Sequence, residues 1–146
     1  STRTPLMISV PEGIPALPDG SVKGRQSMQP ASLLDIYPTL IELCGLPPKT
    51  ELSGTSLVPL LRNPELKTDR AIVTTNGRNN HAIRDTRWRY IRYSDGSEEL
   101  YDHNADPNEW TNLAGSPEYA SAIARMSKWL PRTNVPDAKK DQNLST

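Results

Sequence analysis

Cysteine, histidine and net charge are all scarce in this chain. It has one cysteine and two histidines, and 17 basic side chains balance 17 acidic ones across 146 residues. A single thiol cannot form a disulfide framework, and neither histidine has further ligands at the spacing of a zinc site. A balanced charge favours neither nucleic acid nor an anionic membrane. These absences leave a globular protein that recognises its partners locally.

The sequence also lacks long apolar runs and the common catalytic motifs. No stretch approaches the roughly 20 apolar residues that cross a bilayer, and no signal peptide precedes the first strand-like segment. There is no glycine-rich phosphate loop, and Ser32 has neither a base partner nor an elbow motif around it. We therefore assign no catalytic residue and no metal ligand within this chain.

The N-terminal half alternates between extended and helical patterns. Leu6, Ile8 and Val10 share one parity and predict a strand, whose apolar character indicates a chain separated from its neighbours and hence a fragment. Residues 11–30 are rich in proline, glycine and polar side chains and predict a loop. The apolar spacing from residue 33 to residue 44 predicts a helix that ends at Gly45, and a short helix is expected near residues 57–61.

Two details of the longer helix are predicted from its ends. Either Ser32 or Asp35 can cap the first turn by accepting a hydrogen bond from a free backbone amide, and a metal-binding role for Asp35 is the less favoured alternative. Cys44 lies on the predicted apolar face of this helix. We therefore expect a buried structural thiol, although a reactive one remains open.

The C-terminal half predicts an antiparallel meander followed by a helix. Four segments have strand length and strand composition, and Asp95-Gly96 predicts a hairpin turn between the last two. Ser116 and Pro117 mark a helix start, and an apolar stripe of that helix is expected to pack on the sheet. The strands are residues 71–75, 81–84, 87–93 and 98–102; the stripe is Tyr119, Ile123, Met126 and Leu130. Beyond Pro131 the sequence predicts a mobile tail or a surface strap.

A polar loop between two predicted strands is the best candidate for a binding site. Residues 76–81 read NGRNNH, and loops on rigid sheets often carry binding residues. Arg78, Asn80 and His81 could reach an anionic or sugar-like ligand, while a plain Gly/Asn turn is the alternative. His103 stands near two aspartates, and we expect a solvated turn there rather than a metal site.

Cations and aromatics also alternate over residues 84–93, as they do on some surfaces that bind single-stranded nucleic acid. In a strand, Trp88 and Tyr90 share one face while Arg89 and Ile91 share the other. This parity favours a half-buried sheet with arginines on its solvent side. We therefore expect no nucleic-acid partner.

Three ordered motifs resemble the C-terminal third of a sulfatase. They are SLLDIYPTLIELCGLP at residues 32–47, ELYD at 99–102 and DPNEWTNL at 106–113. Within this formylglycine-dependent, alkaline-phosphatase-like group, the chain is most similar to bacterial iduronate-2-sulfatase-like enzymes. The resemblance implies a fold between α/β and α+β. Residues 1–62 would form the C-terminal edge of the large α/β domain, 63–131 a small antiparallel-sheet subdomain packed by a C-terminal helix, and 132–146 a polar tail.

The resemblance also implies a function for the parent protein. Sulfatases hydrolyse sulfate esters with a formylglycine made from Cys or Ser in a Cys/Ser-x-Pro/Ala-x-Arg motif, assisted by Ca²⁺. Cys44 is followed by Gly-Leu-Pro instead, so this chain alone should be inactive and bind neither group. It would shape the cleft for a sulfated carbohydrate, with His81, Asn80 and Arg78 on the substrate side and a missing N-terminal domain as partner. The resemblance also implies a periplasmic or secreted location for the parent protein, since enzymes of this family are usually exported.

Two other functions remain open at this point. One is a phosphodiesterase or phosphonate hydrolase of the same superfamily, which would carry a Thr or an unmodified Ser nucleophile upstream. The other is a non-catalytic module that binds carbohydrate or protein. A start codon just ahead of residue 1 would favour the module.

Overall fold

A computed structural model describes residues 4–136. Its backbone contacts divide the chain into two compact units, Ser1–Arg70 and Ala71–Thr146. The first unit contains two helices and the second contains a four-stranded sheet with one helix. The predicted domain limits at residues 62 and 131 stay predictions, and residues 137–146 of the predicted tail lie outside the described part of the chain.

The first unit forms its longer helix where the apolar spacing predicted it. A 3₁₀ turn at Leu33–Asp35 leads into helix α1, Ile36–Leu43, and helix α2 follows at Val58–Arg62. The Ser32 hydroxyl accepts a hydrogen bond from the Leu34 amide at 3.3 Å, and an Asp35 carboxylate oxygen accepts one from the Ser32 amide at 2.7 Å. This reciprocal arrangement is a capping box, with Ser32 as the cap.

Asp35 has a larger structural role than a cap. Its side chain is almost fully buried and also accepts hydrogen bonds from the Thr55 amide at 2.8 Å and the Arg70 guanidinium at 2.6 Å. Gly54 passes so close that a β-carbon there would lie 2.0 Å from the Leu34 carbonyl oxygen. The carboxylate therefore joins the start of α1 to the loop at 53–57 and to Arg70.

Two predictions for the first unit are wrong. Residues 6–10 form no strand, and none of the strands within residues 4–136 pairs with them. Instead, the Val10 amide donates to the Ser21 hydroxyl at 2.9 Å, and the Ser21 amide donates to the Val10 carbonyl at 3.0 Å. Cys44 is exposed rather than buried. Helix α1 is apolar on more than one side, and Ile41 and Thr39 face inward. Leu33, Leu34, Tyr37 and Leu40 are left exposed.

The second unit is the predicted meander. Strands β1 (Ile72–Thr75), β2 (His81–Arg84), β3 (Trp88–Arg92) and β4 (Glu98–Asp102) pair antiparallel in sequence order. Ile83 lies opposite Tyr90, which lies opposite Leu100, so their side chains share one face of the sheet. Gly96 has a φ of +86°, as the predicted hairpin turn requires.

One face of this sheet carries the core of the unit. Ile83, Tyr90, Leu100 and Met126 are completely buried. A 3₁₀ turn at Pro117–Tyr119 leads into helix α3, Ala120–Ser127, which supplies Met126. The rest of the predicted stripe, Tyr119, Ile123 and Leu130, packs against the same cluster. The antiparallel sheet covered by a C-terminal helix is thus confirmed, since alternation along the strands and the stripe on the helix specify matching apolar faces.

No helix within residues 4–136 is both long and apolar enough to cross a membrane.

Candidate functional site

The candidate loop joins β1 to β2 and has a defined conformation. The Asn76 amide donates to the Asn80 carbonyl at 3.0 Å, closing residues 76–80 into a tight turn. Gly77 and Asn79 hold left-handed conformations with φ values of 75° and 62°. Glycine and asparagine tolerate that region better than other residues. The composition NGRNN therefore fits the backbone that the loop adopts.

Asn80 fixes this loop to a second segment. Its side-chain oxygen accepts a hydrogen bond from the Ser94 amide at 3.1 Å, and its amide group donates to the Arg78 carbonyl at 3.1 Å. Ser94 lies in the turn between β3 and β4, so two connections meet at the same end of the sheet. Arg78 is exposed on this loop. The Asn80 side chain uses both its oxygen and its amide group in hydrogen bonds within the protein.

His81 is the first residue of β2, directly after the turn at residues 76–80, and is 5% exposed. Its Nδ1 is 2.9 Å from the Thr75 hydroxyl oxygen, and its Nε2 is 2.7 Å from the side-chain oxygen of Asn134. An amide oxygen can only accept, so Nε2 carries the proton and Nδ1 accepts the hydroxyl proton of Thr75. The imidazole thus holds β1 and the segment at residue 134 in place with both ring nitrogens.

The structure therefore brings the three predicted site residues to one end of the sheet but gives them different surroundings. Arg78 faces solvent, Asn80 is half-buried and His81 is buried. Sequence reasoning missed Ser94 and Asn134. Ser94 takes part through its backbone, which no side-chain pattern reveals, and Asn134 lies beyond Pro131 in a stretch without periodicity.

A second polar cluster lies where β2, β3 and the chain after β4 meet. Glu109 has a φ of 61°, and its carboxylate contacts His103 Nε2 at 2.6 Å and the Arg89 guanidinium. Arg84 Nη1 is 3.0 Å from the same histidine nitrogen. The turn predicted at His103 is present at residues 103–105, but its predicted solvation is wrong, because these contacts leave the His103 side chain only 12% exposed.

At the end of the sheet away from the candidate loop, two further arginines pair with aspartates. The Arg87 guanidinium donates two hydrogen bonds to Asp102, at 2.9 and 2.5 Å, and holds the pKa of that carboxyl below its usual value. Arg125 of α3 bonds Asp85 at 2.7 Å. Trp88 and Tyr90 are buried on the core face, so neither ring offers the stacking surface that single-stranded nucleic acid uses.

The chemistry of the described side chains does not fit a calcium site. Within residues 4–136, no three histidine, cysteine, aspartate or glutamate side chains lie close enough together to hold a metal ion. The buried Asp35 carboxylate already accepts hydrogen bonds from two amides and a guanidinium. The carboxylates of residues 4–136 therefore do not form a calcium site.

Comparison with known proteins identifies the class to which this fold belongs. The sequence profile described as "N-sulphoglucosamine sulphohydrolase, C-terminal" matches residues 1–135. A sulfatase from Formosa agariphila is 40% identical over 135 residues, covering 92% of this chain and 25% of the relative. A Delta 4,5-hexuronate-2-O-sulfatase from Bacteroides thetaiotaomicron is 38% identical over 103 residues, covering 62% and 21%. The chain belongs to this family and is similar to the C-terminal part of sulfatases.

Solved structures agree with the fold. A protein of known structure in complex with its substrate D-glucosamine-2-N,6-O-disulfate is 26% identical with a TM-score of 0.54, covering 64% of this chain and 22% of the other. The phosphonate monoester hydrolase of Agrobacterium radiobacter is 29% identical with a TM-score of 0.52, covering 64% and 23%. The chain thus spans about a quarter of the length of the proteins it matches.

Proposed function

We propose that this chain is the C-terminal part of an enzyme that hydrolyses sulfate esters of carbohydrates. The observation that carries the proposal is the family match over residues 1–135. The substrate class is supported by two similar proteins, a hexuronate-2-O-sulfatase and a protein in complex with a sulfated glucosamine.

The nucleophile and the metal are proposed for polypeptide outside this chain. Formylglycine forms from a Cys/Ser-x-Pro/Ala-x-Arg motif, whereas Leu46 and Pro48 stand at the second and fourth positions after Cys44. The exposed apolar side chains of α1 and of the 3₁₀ turn before it, including Leu40 at 51% and Leu33 at 80%, support a packing partner such as an N-terminal sulfatase domain, because exposed apolar surface favours association. A periplasmic or secreted location is proposed from family resemblance alone.

The loop at residues 76–81 is proposed as a wall of the substrate cleft. Substrate contacts away from the reacting sulfate supply orientation and specificity. Arg78 is exposed and can contact an anionic group of the sugar, whereas Asn80 and His81 support the loop through Ser94, Thr75 and Asn134. We therefore propose Arg78 as the contacting residue and Asn80 and His81 as positioning residues of the substrate site.

The test uses the full-length enzyme that ends in this chain. Arg78→Gln should raise KM for the best-hydrolysed sulfated sugar about tenfold, because a hydrogen bond to a charged group contributes roughly 1.5–3 kcal/mol. Hydrolysis of 4-nitrophenyl sulfate should stay unchanged, since that substrate has no sugar to contact the loop. Lys128→Gln removes an equally exposed cation and serves as control. His81→Ala should likewise affect the sugar sulfate more than the aryl sulfate.

Two results would contradict this function. Equal losses on both substrates in Arg78→Gln and His81→Ala would indicate a folding defect rather than a substrate contact. A full-length enzyme that hydrolyses no sulfate ester would refute the sulfatase assignment itself.

A phosphonate or phosphodiester hydrolase is the second candidate. The likeness to the Agrobacterium radiobacter enzyme favours it, and its substrate would present a similar tetrahedral anion to the same cleft. Parallel assays of a phosphonate monoester, a phosphodiester and a sulfated sugar distinguish the two. Preference for either phosphorus ester, with a Thr or unmodified Ser at the nucleophile position, would replace the sulfatase proposal.

A further inference from the structure

The segment after α3 returns to the loop end of the sheet and is held there. Residues 131–136, here named the strap, have no regular secondary structure, yet Asn134 lies 2.7 Å from the buried His81 Nε2. His81 directly follows the candidate loop along the chain. A single side-chain contact thus connects the strap to the base of the loop that carries Arg78.

The strap also carries an arginine that has no partner among residues 4–136. Arg132 is exposed and makes no hydrogen bond or ion pair with any residue from 4 to 136. Every other arginine in that part of the chain has one or more interaction partners. These are Arg25, Arg62, Arg70, Arg78, Arg84, Arg87, Arg89, Arg92 and Arg125. Arg132 is therefore a cation whose charge is not neutralised by the described fold.

Chain geometry places this cation near the candidate loop. Two residues span at most about 7 Å along the backbone, so Arg132 stays close to Asn134 and hence to His81. Arg78 precedes His81 by three residues. Three carboxylates at this end of the sheet have hydrogen-bond donors within the chain: Asp95 accepts from the Ser97 amide and hydroxyl, Glu98 from Tyr90, and Glu99 from Tyr93 and Tyr101. The strap thus presents Arg132 beside the loop that carries the exposed Arg78.

A purely structural role for the strap would explain the hydrogen bond of Asn134 but not the presence of an arginine at residue 132. A C-terminal segment can be pinned by one hydrogen bond simply to limit fraying, and any residue could then stand two positions earlier. The combination of a fixed backbone and an unneutralised guanidinium is what an anion site requires, because arginine binds carboxylate and sulfate groups through a rigid, planar set of donors.

We propose that the strap is a second anion-binding element of the substrate site, in which Arg132 binds a carboxylate or sulfate group of the sugar remote from the reacting ester. Asn134 and His81 are positioning residues that hold Arg132 at the loop end of the sheet. The inference rests on the proposed function, since it assigns this residue to the same substrate. It extends the site to a segment that the sequence predicts only as a mobile tail or a surface strap.

The experiment compares variants of the full-length enzyme on three probes: a Δ4,5-hexuronate-2-O-sulfate disaccharide, D-glucosamine-2-N,6-O-disulfate and 4-nitrophenyl sulfate. Arg132→Gln should raise KM for a sugar probe about tenfold, the usual scale for losing a charge-assisted contact, and leave the aryl sulfate unchanged. An effect only on the hexuronate identifies a carboxylate as the bound group, and one on the disulfated glucosamine identifies a sulfate. Lys128→Gln is the matched control for charge.

The positioning role has its own readout. Asn134→Ala should raise KM for the same sugar probe as Arg132→Gln does, without a matching fall in kcat, and the double variant should be no worse than either single one. Asn134→Asp keeps an oxygen that accepts from His81 and should restore the wild-type KM. A loss in Asn134→Ala that affects the aryl sulfate equally would indicate destabilisation and would overturn the positioning role.

The outcomes separate this inference from the proposed function. If Arg78→Gln is selective for the sugar and Arg132→Gln is not, the strap has no substrate contact and the inference is wrong, while the sulfatase function stands. If the enzyme hydrolyses none of the three sulfate esters, the proposed function fails and the strap inference fails with it.

Discussion

Replacing Asp35 by Asn should loosen the first unit selectively around residues 52–58. The carboxylate is 2% exposed and accepts from the Ser32 amide, the Thr55 amide and the Arg70 guanidinium. An Asn side chain offers one accepting oxygen, so its NH₂ group must face a donor in either orientation. The substitution also leaves Arg70, which is 15% exposed, without its counter-charge.

The expected loss of stability is large for a substitution that replaces one carboxylate oxygen by an NH₂ group. Breaking a buried ion pair by removing one partner typically costs about 3–5 kcal/mol, and the partial exposure of Arg70 places this case near the lower value. A loss of about 3 kcal/mol corresponds to about a 100-fold fall in amide protection, because each 1.4 kcal/mol is a factor of ten. Hydrogen exchange of peptides covering residues 52–58 measures this directly. Tryptophan fluorescence would miss it, because all three tryptophans lie beyond residue 70.

Glu65→Gln is the matched control for this experiment. It removes a carboxylate that also pairs with an arginine, but the Glu65 and Arg25 side chains are 74% and 57% exposed. Exposed pairs contribute little because water and salt screen them. Unchanged protection of residues 52–58 in Asp35→Asn would refute the view that this carboxylate holds the loop at 53–57 to α1.

Two further predictions follow from individual groups. The Arg87 guanidinium lowers the pKa of Asp102 from its ordinary value of 3.8, so this pair stabilises the folded state above that pH and stops doing so as the pH falls through the lower folded-state value. Arg87→Gln should therefore be less stable than wild type at pH 6, by urea unfolding followed through Trp88, with the difference shrinking below pH 3.8; a difference independent of pH would contradict the pairing. Cys44 is exposed, so in the native chain it should react with a thiol reagent as fast as in urea, whereas strong protection would mean that its surface is covered.

The sheet and its covering helix were predictable because their signals are local. Alternation in β3 assigned Trp88 and Tyr90 to one face, and the stripe through Met126 assigned the matching face of α3. Helix α1 was predictable as a helix but not in orientation. It is apolar around most of its circumference, so periodicity could not show which side packs, and Cys44 was wrongly expected inside.

The candidate site shows a different limit of sequence reasoning. Residue types singled out Arg78, Asn80 and His81, but contact with a ligand and support of a loop call for the same polar atoms. Only the positions of Thr75, Ser94 and Asn134 show that the side chains of Asn80 and His81 form hydrogen bonds that hold the loop.

The same reasoning explains why the strap matters to any account of specificity. Its sequence contains few apolar residues and no periodicity, so the pattern predicts either a mobile tail or a surface strap and does not distinguish the two. Yet its single described polar contact is with a buried histidine, and a buried imidazole loses water that only protein partners can replace. If Asn134 is removed, Nε2 loses its acceptor, and the cost of that buried donor is imposed on the base of the candidate loop. The strap and the loop should therefore change together, and a substitution in one should alter the conformation of the other.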